Sequence, residues 1–234
     1  MKSKKNIPHW QWVKETPVAI LEENELPAWK DAKQLVNAVK KMGAKLLRYP
    51  AIRWGVHSFG KSSYLPKYPG LDKRDLFGEI ISEMCANNIK VMAYVHYGVL
   101  HTHVKQFHEN WMARKADGSL EIWNGNHFKA CLCNDDFIES MRKAIYELIS
   151  GYSPDALYLD GPTWYCNECF CDSCKNKYLE MFNEEMPDVL SFEDGSKEKY
   201  NIMRDRVIAK IVKDLRESLS EWPQLPLLFN TLMG

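Results

Sequence analysis

Five short apolar runs, each separated from the next by a stretch of helical periodicity, constrain this 234-residue chain more than any other feature. The runs are Pro17–Leu21, Lys45–Tyr49, Ile89–His96, Ala156–Asp160 and Pro226–Asn230. Their β-branched and leucine content and their length suit buried strands. Between them, Trp29–Met42 carries Ala32, Leu35, Val36 and Val39 on one face and stops at Gly43. Asp72 is positioned to cap a second helix with Leu76, Ile80, Ile81 and Met84 on one side. Further helical segments run near 104–115, from Asn134 or Asp135 to Ile149 with Gly151 as the stop, and over 172–186 and 197–222. Strands alternating with helices, with no hairpin signal, call for a parallel α/β sheet. The connections that follow strands (51–71, 97–133 and 161–171) are far longer than those that precede them, the unassigned opening residues apart. In βα architectures that asymmetry places elaboration at the carboxyl ends of the strands, where active sites sit.

Composition narrows the class of partner. Hydrophobic residues at 45% and charged residues at 26% give an ordinary globular balance. Lys+Arg and Asp+Glu are both 31, so no basic field exists to gather phosphates, and no nucleic acid is expected as the main partner. The first ten residues lack the apolar run of a signal peptide, and no window is long enough to cross a bilayer, so no membrane association is expected. Seven cysteines, an odd number with four in one cluster, fit a reducing compartment and metal binding better than disulfides. A cytoplasmic protein is the expectation. Eight Trp and eleven Tyr supply flat faces that suit sugar rings as well as cores.

The order of several motifs resembles a specific family. These are Pro17-Val-Ala-Ile-Leu21, Lys41-Met-Gly-Ala, Tyr64-Leu-Pro, Asp75-Leu-Phe-Gly-Glu79, and Asn88-Ile-Lys-Val-Met-Ala93. Glu109-Asn-Trp111 with Asp117-Gly118, Cys133-Asn134, Asp155 to Gly161 and Cys169-Phe-Cys-Asp-Ser-Cys174 follow. Together they resemble the hypothetical glycosyl-hydrolase-like bacterial family, number six of its series, which looks related to α-L-fucosidase and thermostable β-galactosidase barrels. The resemblance implies a (β/α)8 TIM-barrel fold, here partial, with about five parallel strands in one domain over 1–234 that is truncated at its C-terminus. Five strands cannot close a barrel of eight, so self-association through open edges, or through a missing C-terminal region, is expected. The implied activity is hydrolysis of glycosidic bonds in a fucoside- or galactoside-type carbohydrate.

On that reading Asp160, a short carboxylate at a strand's carboxyl end, takes the nucleophile's role. As part of an Asp-Gly dipeptide it also reads as a turn residue. Glu22, Glu23 and Glu168 are candidates for the partner acid, though any single one of them reads first as solvated surface. His96 after the third strand and His57 after the second suit hydrogen bonding to sugar hydroxyls, and Tyr94 shares the face of His96. Trp54, Trp123 and above all Trp164 are rim residues suited to stacking on a pyranose. Asn134 and Asn230 stand at strand ends, as hydroxyl ligands or helix caps. His96, His101, His103 and His108 lack the spacing of a helical zinc motif. Cys85 reads as core on an apolar helix face.

Cys169-x-Cys171-x2-Cys174 resembles the zinc cluster of the thermostable β-galactosidases, in which a more distant fourth Cys completes the site. Cys166, Cys133 and Cys131 are the candidates for that fourth ligand. Zinc held by four thiolates is closed to water and structural. Two further readings stand beside the hydrolase: an inert carbohydrate-binding barrel, and a zinc-knuckle module for protein or nucleic acid.

Overall fold

A computed structural model describes residues 10–20 and 31–230. The elements in chain order begin with α1 (Gln11–Glu15), β1 (Val18–Ile20), α2 (Ala32–Lys41), β2 (Leu46–Arg53), β3 (Val56–His57) and α3 (Leu76–Ala86). They continue with β4 (Lys90–His96), β5 (Val99–His101), α4 (Thr102–His108), β6 (Ile122–Asn124), β7 (His127–Lys129) and α5 (Asp135–Tyr152). The last are β8 (Ala156–Asp160), α6 (Asp172–Phe182), α7 (Ser196–Ser218) and β9 (Leu227–Asn230).

The main sheet runs β1-β2-β4-β8-β9, and every neighbouring pair on that path is parallel. The expected partial (β/α)8 barrel is therefore present, its strands in sequential order. Side-chain alternation splits each strand between two faces. Leu47, Tyr49, Ala93, Val95, Leu157 and Leu159 join the main core with residues of α2, α3, α5 and α7. The other face begins with Leu46, Met92 and Ala156, which pack on Val13 and Trp12 of α1. Helix α1 thus covers the amino end of this face, and the carboxyl end lies opposite it.

Several local expectations differ. Asp75, not Asp72, caps α3 by accepting the Gly78 N–H at 2.9 Å, while Asp72 takes φ 42 in the preceding turn. Helix α5 runs through Gly151 and ends where Ser153 turns left-handed at φ 47. Helix α4 is shorter than expected and passes into a 3-10 turn at Glu109–Trp111. Cys85 is exposed rather than core: the buried stripe of α3 is Leu76, Phe77, Ile80 and Met84, and position 85 falls beside it.

The largest difference is a second sheet. Within the connection after β4, strands β5, β7 and β6 form an antiparallel ribbon. Asn124-Gly125 is the hairpin signal for it, with Gly125 at φ 53 between β6 and β7. A second hairpin joins β2 to β3 through Trp54 and Gly55, both at positive φ (54 and 71). The absence of hairpins holds along the parallel path β1-β2-β4-β8-β9 and not for the connections that leave β2 and β4.

Candidate active site and thiol cluster

Register puts the candidate residues into layers. His96 on β4 pairs with Asp160 on β8, which pairs with Asn230 on β9. One step lower, Tyr94 pairs with Tyr158, and Tyr158 with Leu228. Even-numbered positions on these three strands therefore face the concave side, and Asp160 ends that face at the mouth. In β2 the pairing shifts between Pro50 and Ile52, so that Ile52 meets Val95. The irregularity moves Arg53 onto the face that holds His96, an effect typical of bulges beside sites.

Asp160 is held from two sides. The Tyr94 phenol donates to Oδ2 at 2.6 Å, and the Asn230 amide donates to Oδ1 at 3.1 Å. Burial, then the hydrogen bond to Asp160 and its charge, pushes the Tyr94 phenol far up, so it remains a donor. The Arg48 guanidinium lies over both the Tyr94 and Tyr158 rings, at 5.2 and 4.6 Å from their centroids. The Tyr94 ring is in turn stacked with His96 at 6.4 Å.

His96 is 8% exposed. Burial is the main cause that pulls it down from 6.5 to about 4; Asp160 opposes this, and Arg53 and His127 reinforce it. A neutral imidazole at pH 7 follows. Its Nε2 lies 3.4 Å from the Tyr165 hydroxyl, and among the described residues its Nδ1 is buried with no hydrogen-bond partner. Among the described residues, His127 Nε2 and Thr163 Oγ1 are likewise buried with no hydrogen-bond partner.

The ribbon after β4 and the β2–β3 hairpin form one side of the mouth. Arg53 stacks on Trp54 at 4.3 Å, and Trp54 lies 4.1 Å from the His127 ring. Trp123, 48% exposed, meets Tyr165 edge-on at 4.7 Å. Two glycines permit this closeness. A Cβ at Gly98 would stand 2.8 Å from the Thr163 carbonyl oxygen, and one at Gly161 would stand 2.5 Å from that of Tyr97.

The remaining sequence candidates lie elsewhere. His57 is 2% exposed, and its Nδ1 bonds to the Phe59 carbonyl at 2.9 Å, a core position. Asn134 caps α5, accepting the Phe137 N–H at 2.9 Å and donating to the Asn110 carbonyl at 3.1 Å. Trp164 packs against both the main core and the thiol cluster, and its indole N–H goes to Tyr200 at 3.1 Å. Its neighbour Tyr165 occupies the rim instead. Glu168 pairs with Lys197 at 2.6 Å. Glu22 and Glu23 lie outside the described residues. Arg53, His127, Thr163 and Tyr165 were not singled out from the sequence; only the Asn124-Gly125 signal points toward this side of the mouth.

Below the β8–α6 loop, Cys131, Cys169, Cys171 and Cys174 bring all four Sγ atoms within 4.8 Å of one another, and all four residues are buried. Cys166 and Cys133, the alternatives for the fourth position, are not in this set. Cys169 and Cys171 come from the loop, Cys174 from the first turn of α6, and Cys131 from the segment before α5. The Arg114 N–H points at Cys169 Sγ at 3.5 Å. Bonds from the surrounding thiols hold Cys169 far below the ordinary thiol range and push Cys131 and Cys174 up. So tight a group cannot lose all its protons without a cation at its centre. Tetrahedral zinc with Zn–S bonds of about 2.3 Å sets sulfurs about 3.8 Å apart, and the donor set fits it.

No curated protein matches the chain. Among solved structures, α-L-fucosidase isoenzyme 2 from Paenibacillus thiaminolyticus superposes with a TM-score of 0.71 at 16% identity, over 92% of this chain and 32% of that one. A β-galactosidase from Bacillus circulans sp. alkalophilus gives 0.66 at 13%, over 92% and 36%. A hypothetical protein from Ruminiclostridium thermocellum gives 0.56 at 11%, over 85% and 90%. The chain thus spans about a third of the length of the fucosidase and of the β-galactosidase. At these identities the likeness is one of fold. The family described as hypothetical glycosyl hydrolase 6 matches residues 31–161, more than half of the chain and the stretch that runs from α2 to the end of β8. With the mouth carboxylate as its last matched strand residue, the chain belongs to the hypothetical glycosyl hydrolase 6 family.

Proposed function

We propose that this chain is the catalytic face of a glycoside hydrolase in which Asp160 attacks the anomeric carbon of a bound sugar. The observation that carries the reading is the Asp160 carboxylate, held at a parallel strand's carboxyl end by Tyr94 and Asn230. Two donors on two neighbouring strands restrict its rotation and aim it at the mouth, as covalent catalysis requires. The fucosidase and galactosidase likenesses in fold point to fucoside- or galactoside-type substrates as the first to try. His96 Nδ1, His127 Nε2 and Thr163 Oγ1 are the unspent polar atoms for hydroxyls, and Trp123 and Tyr165 the aromatic faces. Retaining chemistry needs a second carboxyl roughly 5–5.5 Å from the nucleophile. Among the described residues Asp160 is the carboxylate that acts on Tyr94, His96 and Tyr165. Glu22 and Glu23, which follow β1 in the chain, are the first candidates for the proton donor.

The same reading gives Cys131, Cys169, Cys171 and Cys174 one structural zinc. Buried thiols joining the β8–α6 loop to the segment before α5 suit a staple for the mouth rather than an exposed zinc-knuckle surface. Seven free thiols support a reducing compartment such as the cytoplasm, and no helix among the described residues is long and apolar enough to cross a membrane. Among the described residues strands β1 and β9 end the sheet, which supports pairing with further strands, including those of a second copy.

The test is hydrolysis of aryl fucosides and aryl galactosides by the parent protein and by Asp160→Asn. The expected result is turnover in the parent and its loss in the variant, with covalent trapping by a fluorinated sugar lost in parallel. Equal turnover in both proteins would exclude Asp160 as nucleophile. Sugar binding without turnover in either would favour the inert carbohydrate-binding barrel.

A further inference from the structure

The phenol of Tyr200, one turn into α7, is fully buried against the β8–α6 loop. Its oxygen accepts the backbone N–H of Cys169 at 2.7 Å and the indole N–H of Trp164 at 3.1 Å. The two donors stand five residues apart in the β8–α6 loop, on either side of Tyr165. Lys197, on the same end of α7, holds Glu168 at 2.6 Å and is a second tie. Between these fixed points, Tyr165 is set with its hydroxyl 3.4 Å from His96 Nε2 and its ring against Trp123. Cys169 is at once a member of the thiol cluster and a donor to Tyr200.

We propose that Tyr200 is a positioning residue that couples the thiol cluster to the rim of the mouth, holding Tyr165 in place over His96 and Asp160. The proposal deepens the reading of the mouth given above and rests on it. A residue that only filled space here would need no hydroxyl. A phenylalanine would pack the same edge-to-face contact with Trp164, now 5.9 Å at 88°, and would leave the buried Cys169 N–H and the half-buried Trp164 indole N–H unmatched. With a single oxygen serving both donors, movement at Cys169 reaches Trp164, and with it the adjacent Tyr165, through two hydrogen bonds. The cluster then does more than stabilise the loop: it sets where the loop's tyrosine stands relative to the carboxylate.

The test uses the full chain labelled with 3-fluorotyrosine, with the Tyr165 fluorine signal assigned by its loss in Tyr165→Phe. Tyr200→Phe should keep the parent's metal content and far-UV spectrum, yet shift or broaden the Tyr165 signal. Tyr178→Phe is the control. It removes another buried phenol from the same small core, one whose hydroxyl bonds to Glu184 instead, and should leave Tyr165 unmoved. Trp164→Phe cuts the indole arm alone, leaves the Cys169 bond intact and should move the same signal; it decides the matter if Tyr200→Phe folds poorly. Cys131→Ser, which alters the cluster from outside the loop, should move it too. A Tyr165 signal at the parent position and width in Tyr200→Phe and Trp164→Phe would overturn the proposal. If the parent carries no zinc, the metal reading fails alone, because these two variants report on the loop directly. If the parent fails to hydrolyse or bind sugars, the functional reading fails while the same signals still decide the coupling.

Discussion

Acidification should destabilise the folded chain through His57, and His57→Asn should remove that part of the loss. The ring is 2% exposed, packs 4.6 Å from the Phe59 ring, and bonds to the Phe59 carbonyl oxygen at 2.9 Å. Burial is the main cause that holds it down from 6.5 to about 4; the Phe59 bond and Asp75 oppose this, and Lys67 adds to it. The unfolded chain takes up a proton here as the pH falls through about 6.5, and the folded chain only near 4. Between those values the unfolded state binds more protons, so stability falls as pH falls. At about 1.4 kcal/mol per pH unit, the loss reaches about 3 kcal/mol by pH 4. Above pH 6.5 the group is neutral in both states and adds no slope. An Asn side chain can offer its amide N–H toward the Phe59 carbonyl and does not titrate. Urea unfolding of both proteins, followed by tryptophan fluorescence from about pH 7.5 to about pH 4.5, measures the difference directly. His96 is shifted in the same way and remains in both proteins, so it cancels. The two profiles should diverge by about 2–3 kcal/mol at the acid end. Parallel profiles would refute the core assignment and return His57 to a solvated position from which it can bind a ligand.

Tyr94→Phe removes the 2.6 Å bond to Asp160 and should lower kcat about tenfold, with a stability change near 1 kcal/mol, as steady-state kinetics and melting would show. Elemental analysis should find about one zinc per chain in the parent, Cys133→Ser and Cys166→Ser, and well under one in Cys131→Ser and Cys169→Ser, because only the last two remove a member of the four-sulfur set. Gly161→Ala meets the Tyr97 carbonyl at 2.5 Å from a φ of +106 and should cost about 2–4 kcal/mol in urea unfolding. Gly118→Ala, at φ +82 with nothing within 4 Å, should lose only the backbone share, about 1 kcal/mol.

The barrel strands were legible because their signal is local. An apolar run such as Ala156–Leu159 needs no partner to declare itself, and helical spacing such as that of Leu35, Val36 and Val39 declares the covering layer. Strand order followed from the alternation, since parallel neighbours need a crossover between them. The rim was harder. Its strands are three residues or fewer, and the sign that reveals β6 and β7 is one Asn-Gly dipeptide inside a long polar connection.

The sequence by itself determined the parallel α/β barrel order, the carboxylate at the end of its fourth barrel strand and the presence of a thiol cluster. Each depends on residues close together along the chain. The tertiary structure alone decided which atoms meet. Register joined Tyr94, Asp160 and Asn230 across three strands, a slip of pairing in β2 turned Arg53 toward His96, and folding brought Cys131 rather than Cys166 to the other thiols. It also withdrew His57, Asn134 and Trp164 from the mouth and set Tyr165 there. Composition and periodicity tell which face a residue takes. A hydrogen bond about 3 Å long depends on a register and a loop path that only long-range packing fixes.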